Sequence, residues 1–261
     1  MNNKNVIAHI VNWIAQYSNN SNTNGFVVGI SGGIDSALTS ALCAETGKKV
    51  ICLNVPIHQH KAEYDRGNEH INWLKKKYSN VFSYEVELTS TFQKLEISLP
   101  EEIRDWLTLA NARSRLRMTT LYAFASHHKM LVAGTGNKVE DFGVGFFTKY
   151  GDGGVDISPI ADLMKSEVHA LATELGVVAS ILKAKPTDGL WADERTDEDQ
   201  IGATYDELEW AMKFLDNPSE FSKLNDRQKI VLDIYERLHK ANLHKMQPIP
   251  LCIIPSELKQ G

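Results

Sequence analysis

The chain has 261 residues, 43% of them hydrophobic, enough to bury the core of one large α/β domain or two small ones. A formal net charge of −5 argues against a general nucleic-acid binder, and no segment approaches the ~18 uninterrupted apolar residues of a membrane span. Cys43, Cys52 and Cys252 are odd in number and widely spaced, so neither a metal knuckle nor a disulfide framework is expected, and the setting is read as a reducing cytoplasm.

From the N-terminus, residues 5–17 carry an amphipathic helical pattern through Val6, Ile7, Ile10, Val11 and Ile14, followed by the polar linker SNNSNTNG. Strand-like segments near 26–30, 49–55, 81–87 and 130–134 then alternate with helical ones near 36–46, 62–77 and 102–127. Strand then helix, repeated, predicts a parallel sheet flanked by helices. Ligands of such sheets gather beyond the carboxyl ends of the strands, so the loop after the first strand and AGTGN after the fourth should face one crevice. Beyond residue 135 the pattern gives a Gly-rich loop, a helix over about 162–175, an acidic loop over 185–202, and helices near 204–215 and 226–241. No repeat interrupts this order, and one domain over residues 1–261 is expected.

The most specific local signal is FVVGISGGIDSALTSALCAE, from Phe26 to Glu45: an apolar strand, a Gly-rich turn and a helix start in immediate succession. Ser31, Gly32 and Gly33 let the backbone turn tightly. The amides opening the next helix then point outward with the positive end of its dipole, which makes an anion site. A Walker loop would need GxxxxGK, and no Lys occurs between Gly29 and Gly47; the spacing does not fit GxGxxG either. A plainer reading remains, a Gly-rich turn with Asp35 or Ser36 as helix N-cap.

SGGIDS, Ser31 to Ser36, resembles the loop of the ATP-pyrophosphatase superfamily, whose amides hold the phosphates that leave together as pyrophosphate. Further along, ANARSRLRM, GTGNKVE, GFFTKYGDGGVDISPIADLMKSEV, KPTDGLW and DEDQIGATYDELE follow in that order. Together these resemble NAD synthetase, over roughly residues 5–250. The resemblance implies a five-stranded parallel sheet of the adenine-nucleotide α-hydrolase type with C-terminal helices, homodimerisation, and ATP-dependent amidation of deamido-NAD through an adenylate. It implies ATP contacts at Gly29, Ile30, Ser31, Gly32, Gly33, Ile34, Asp35, Ser36, Thr135, Lys165 and Thr187. Asp35 and Glu140 become Mg²⁺ carboxylates, as oxygen ligands suit that ion. Lys165 becomes the cation meeting the ATP phosphates. Arg115, Lys149, Asp156, His244 and Lys245 become contacts of deamido-NAD, and Asp152 of KYGDGG the carboxylate that takes a proton from ammonium.

Two points depart from the family pattern. Met246 stands after His244 and Lys245 where Arg is expected, and GTGNKVE is similar to the form in glutamine-using and archaeal-type relatives. Ammonia is the expected nitrogen donor, since no amidase segment precedes the loop, with a separate glutaminase partner left open. Which of Arg113, Arg115 and Arg117 faces the site also stays open, because about 100° per residue splays them around a helix. Residues 186–202 are expected to close over bound substrates and exclude water. Other adenylating enzymes of the superfamily, or a non-catalytic nucleotide sensor, are the competing readings.

Overall fold

The computed structural model of the chain describes residues 1–184, 197–218 and 224–259. Four parallel strands, β1 (Gly25–Gly29), β2 (Lys49–Asn54), β3 (Val81–Glu85) and β4 (Leu131–Val132), form one sheet in the order β3-β2-β1-β4. Their side chains alternate between two apolar faces. Phe26, Val28, Val50 and Cys52 pack on one side with Leu38 and Leu42 of helix α2 (Ile34–Glu45), beside α1 (Asn3–Asn20) and α6 (Lys165–Leu175). Val27, Ile51, Leu53 and Val132 pack on the other, against Met118, Leu121 and Ala125 of α5 (Trp106–His128). Burial on both faces explains why β1 and β2 read as near-continuous apolar runs, whereas the edge strand β3 leaves Phe82 and Tyr84 exposed. Each fully buried Val, Leu, Ile or Phe contributes about 1.5–3 kcal/mol.

The remaining helices surround this frame: α3 (Lys61–Lys77) and α4 (Thr89–Ser98), α7 (Ala179–Leu182) and α8 (Asp197–Ile201), then α9 (Tyr205–Asp216) and α10 (Asp226–Met246). Val139 and Val144 pack with Leu208 and Met212 of α9 and Val231 and Tyr235 of α10, a separate apolar cluster that ties the C-terminal helices to the segment after β4. Among the described residues no helix is long and apolar enough to cross a membrane.

Among the described residues the sheet has four strands, not the five that the resemblance implies. The would-be fifth is a single parallel bridge, Ala133 with Ile157. Its ladder stops there because Asp156 takes the Val132 N–H with its side chain at 2.8 Å, and Pro159 has no N–H to offer. The Gly-rich stretch after residue 135 holds a wide π-helical turn, Lys138–Val144, not a simple loop. Helix α5 begins at Trp106 instead of 102, because a 3₁₀ turn at Glu101–Ile103 precedes it and Asp105 caps it, accepting from Thr108 N at 3.0 Å.

The strand order places β1 between β2 and β4. Chain leaving β1 crosses toward β2, and β4 adds on the opposite side, so a crevice opens beyond their carboxyl ends. The phosphate-type loop after β1 and the segment after β4 therefore meet, as their positions in the sequence predict.

Candidate active site

A cleft of about 580 Å³ lies at that switch point, and residues Gly29 to Ser36, Thr135, Glu140, Asp152, Lys165 and Lys245 all line it. Its floor is the loop after β1, held in shape by its own hydroxyls. Ser36 Oγ accepts from Ser31 N at 3.2 Å and donates to Gly33 O at 3.0 Å, while Ser31 Oγ accepts from Gly33 N at 3.1 Å. Gly33 precedes α2 without a side-chain cap, which leaves the first-turn amides available to an anion. Gly32 sits at φ +86° against α3, where a Cβ would run into the Glu63 carbonyl. From the same side Gln59 Nε2 donates to Ser31 O at 3.1 Å and Arg66 Nε to Gly32 O at 3.3 Å, so α3 and the turn before it brace the loop.

Above the loop stands a compact ionic cluster. Lys165, the first residue of α6, places Nζ 2.6 Å from Asp35 Oδ2 and 2.8 Å from Glu140 Oε1, both carboxylates being largely buried. Buried Asn137 caps the π-helical turn, accepting from Val139 N and Glu140 N at 3.1 Å each, and its Nδ2 donates to Asp35 Oδ1 at 3.2 Å. Tyr205 of α9 donates its hydroxyl to Glu140 Oε1 at 2.5 Å, with Asp197 Oδ2 3.3 Å away. The Lys165 ammonium also lies 4.8 Å from the Tyr205 ring centre.

Burial and charge compete within the cluster. Burial pushes the Asp35 carboxyl upward, and its share of Lys165 only partly offsets that. Glu140 feels the same burial, yet Lys165, Tyr205 and Asn137 together hold it below the usual range. Burial alone would discharge Lys165, but the two carboxylates prevail and its pKa is raised.

Two further elements complete the cleft wall. The turn carrying Asp152 is locked to α5: its Oδ1 accepts from Ser114 Oγ at 2.6 Å and from Thr148 N at 3.1 Å, and Asp152 N donates back to Ser114 Oγ at 2.9 Å. Burial pushes the Asp152 carboxyl upward against those two hydrogen bonds, tempered by solvent at the cleft mouth where the residue lies. Lys245 Nζ donates to the Gly145 and Phe147 carbonyls.

Other expected contacts fall outside the cleft. Arg115 is exposed on the far side of α5 and donates through Nε to Lys149 O at 3.2 Å; Lys149 Nζ in turn donates to His244 O at 2.7 Å. Asp156 accepts from Tyr122 at 3.0 Å as well as from Val132 N. A shallower depression of about 400 Å³, lined by Met118, Thr119, Tyr122, Tyr150 and Gly154, lies on that outer side of α5. Thr187, and residues 186–196 of the expected closing segment, lie outside the described residues.

The helix answers which arginine faces in. Ala110, Asn111, Ser114, Arg117, Met118 and Leu121 line the cleft at helical spacing, so Arg117 faces it. Arg113 instead stacks 5.7 Å from the Phe92 ring centre. Arg117 Nε donates to Val55 O at 3.0 Å, and burial, with the Arg113 charge alongside, lowers its pKa to about 10. Sequence reasoning left Arg117 open beside Arg113 and Arg115, and missed Arg66, Gln59, Tyr205 and Asp141. Asp141 also lines the cleft, packed over Gly136, and burial with the charges of Asp152, Glu140 and Asp35 pushes its carboxyl well above the ordinary range.

This arrangement of loop, carboxylates and cations is one that comparison with known proteins can place. The chain matches the NAD synthase family model over residues 6–248. It is 37% identical over 240 residues to the NH(3)-dependent NAD(+) synthetase of Mycoplasma genitalium, an alignment covering 90% of this chain and 92% of that protein. Among solved structures it is similar to the NMN synthetase of Francisella tularensis, with a TM-score of 0.85, 32% identity, and 98% and 99% of the two chains covered. It is similar also to the NH3-dependent NAD synthetase of Campylobacter jejuni, with a TM-score of 0.79, 25% identity, and 97% and 100% covered. A match that runs from the first helix to the end of the last, and takes in every wall of the cleft, shows that the chain belongs to the NAD synthase family.

Proposed function

We propose that this ligase amidates the nicotinate carboxylate of deamido-NAD with ammonia, consuming ATP and releasing AMP and pyrophosphate. The observation that carries the reading is the convergence, in one cleft, of an anion-binding loop, a carboxylate pair with its own lysine, and the Asp152 turn.

The loop amides and the α2 dipole hold the β and γ phosphates, so that a carboxylate oxygen of the acceptor can reach the α-phosphorus in line. As that bond forms, the bond to the β-phosphate oxygen breaks and pyrophosphate leaves. Lys165 and Arg117 supply positive charge from two sides of the cleft to the oxygens on which charge accumulates. The α-phosphate stays on the nicotinate carboxylate as a mixed anhydride. Asp152 then takes a proton from ammonium; the freed ammonia attacks the acyl carbon, and the tetrahedral centre collapses with loss of AMP.

Asp35 and Glu140 fit a Mg²⁺ ion. Both offer oxygen donors to a single cation position, and a pair suffices for an ion that fills its remaining places with phosphate oxygens and water. Among the described residues no cluster of three such ligands occurs, which suits shared rather than all-protein coordination. Bound there, Mg²⁺ would neutralise phosphate charge and polarise the reacting phosphorus.

Arg115, Lys149 and Asp156 lie outside the cleft, which suits a homodimer that binds the dinucleotide at the subunit boundary. Exposed Ile249, Leu251 and Ile253 after α10 supply apolar surface for such a contact. The buried free thiols Cys43 and Cys52 suit a reducing cytoplasm.

A second acceptor is favoured by one observation, the 0.85 TM-score to an NMN synthetase. Nicotinate mononucleotide presents the same carboxylate, and the cleft chemistry is identical. Product formation with each acceptor, using ammonium or glutamine, tests both readings. A preference for deamido-NAD with ammonium is expected. A higher kcat/KM for the mononucleotide reverses the acceptor, and no amide product from either overturns the function.

A further inference from the structure

The position of Lys165 bears on how the cleft is loaded, and the inference rests on the reading of Asp35 and Glu140 as a divalent-cation pair. Its ammonium is 2.6 and 2.8 Å from one oxygen of each carboxylate. Mg²⁺ binds oxygens at about 2.0–2.1 Å. An ion held by Asp35 Oδ2 and Glu140 Oε1 would compete with the ammonium for the same two oxygens, with three positive charges facing two negative ones at close range. The two cations exclude one another.

The surroundings keep the carboxylates fixed whichever cation they face. Asn137 holds Asp35 through Oδ1, the oxygen that Lys165 leaves free, and shapes the turn that presents Glu140; Tyr205 donates to Glu140 Oε1, the oxygen Lys165 also meets, so that oxygen keeps a donor when the lysine leaves. Lys165, by contrast, is a flexible four-carbon stem at the first position of its helix, tied among the described residues to this pair and to the Tyr205 ring. The anion loop that would receive it is adjacent, since Asp35 lies in the first turn of α2.

We propose that Lys165 is the exchangeable counter-cation of the Asp35–Glu140 pair. It holds the carboxylates in the nucleotide-free chain and yields them to a divalent cation when phosphate oxygens arrive to take its ammonium. The cation and the nucleotide therefore bind cooperatively, each strengthening the other by the same factor, and the cation alone binds weakly.

The test is Mn²⁺ binding to the full chain, read by electron paramagnetic resonance, without nucleotide and with α,β-methylene ATP. Without nucleotide, Lys165→Met should bind Mn²⁺ at least ~10-fold more tightly than the wild type, the scale on which outer-shell changes move metal affinity. The analogue should strengthen Mn²⁺ binding to the wild type far more than to the variant. Equal or weaker binding by Lys165→Met overturns the exchange; if Asp35→Asn and Glu140→Gln still abolish binding, the carboxylate pair survives that failure. No binding by any form, even with the analogue, overturns the pair as well. Because Lys165→Met leaves two buried carboxylates facing each other and can cost the fold, the wild type gives a second readout. In lysine-labelled ¹⁵N spectra the Lys165 ammonium signal should shift with Mg²⁺ plus the analogue and stay put with Mg²⁺ alone; an equal shift with Mg²⁺ alone contradicts the proposal.

Discussion

The two sides of α5 differ in how completely a single chain builds them. On the cleft side charged groups from distant elements meet: Lys165 of α6 meets Asp35 of α2 and Glu140 of the π-helical turn, and Ser114 locks the Asp152 turn. On the outer side Arg115 and Lys149 donate to backbone carbonyls, of Lys149 and His244, rather than to acidic side chains, and Asp156 is engaged with the edge of β4. Paired charges are therefore concentrated in the cleft, whereas the outer surface keeps its cations on backbone carbonyls that a ligand or a second subunit would have to replace. Electrostatic stabilisation works best when the dipoles are already in place, so the contrast supports the proposal that puts the chemistry on the inner side.

The strongest challenge to this contrast removes a charge from each member of the cluster. Lys165→Met and Glu140→Gln should each lower kcat/KM by ~10²–10³-fold in a pyrophosphate-release assay, comparable to loss of a transition-state donor elsewhere. Losses under ~3-fold would show that the cluster is structural only.

Next in size is a direct comparison of two arginines two residues apart. Arg117→Met should raise KM for ATP by ~10–100-fold, the scale of a hydrogen bond to a charged group. Arg115→Met should leave that KM within ~2-fold and raise KM for the nicotinate acceptor instead. Identical profiles for the two variants would erase the distinction between the faces.

The smallest effect is a reference that belongs to neither face. His70 is fully buried beside Ser40, 2.9 Å away, and burial lowers its pKa to about 4. It stays neutral in the folded chain while the unfolded chain takes up a proton near pH 6.5, so its contribution is present above that pH and is lost as the pH falls toward 4. Between pH 7 and 4.5 this group should cost about 2–3 kcal/mol of stability in urea denaturation, and His70→Gln should flatten that part of the profile. An unchanged slope in the variant would place the acid sensitivity in the cleft carboxylates.

The inner face was the more legible of the two. The loop over Ser31–Ser36 is a local pattern of small residues behind an apolar strand, and sequence carries such patterns directly. The meeting of the β1 and β4 loops follows from strand alternation alone. Tyr205 could not be read and the choice of Arg117 among three arginines stayed open, because they act through contacts 65 and 62 residues away in the chain. Asn137 gave a usable signal, an Asn with Glu three residues on, which marks a helix start even though the turn that follows is π-helical. Strand alternation points to the four strands found; the fifth was implied by the resemblance alone, and it is absent among the described residues because Asp156 uses a side chain where such a strand would use backbone.

The central claim, adenylation of a nicotinate carboxylate within this cleft, is tested most directly by following oxygen. Deamido-NAD carrying ¹⁸O in its nicotinate carboxylate, incubated with ATP, Mg²⁺ and ammonium, should yield AMP with one ¹⁸O in its phosphate, together with unlabelled pyrophosphate. Unlabelled AMP, or ADP and phosphate in place of AMP and pyrophosphate, would contradict the account.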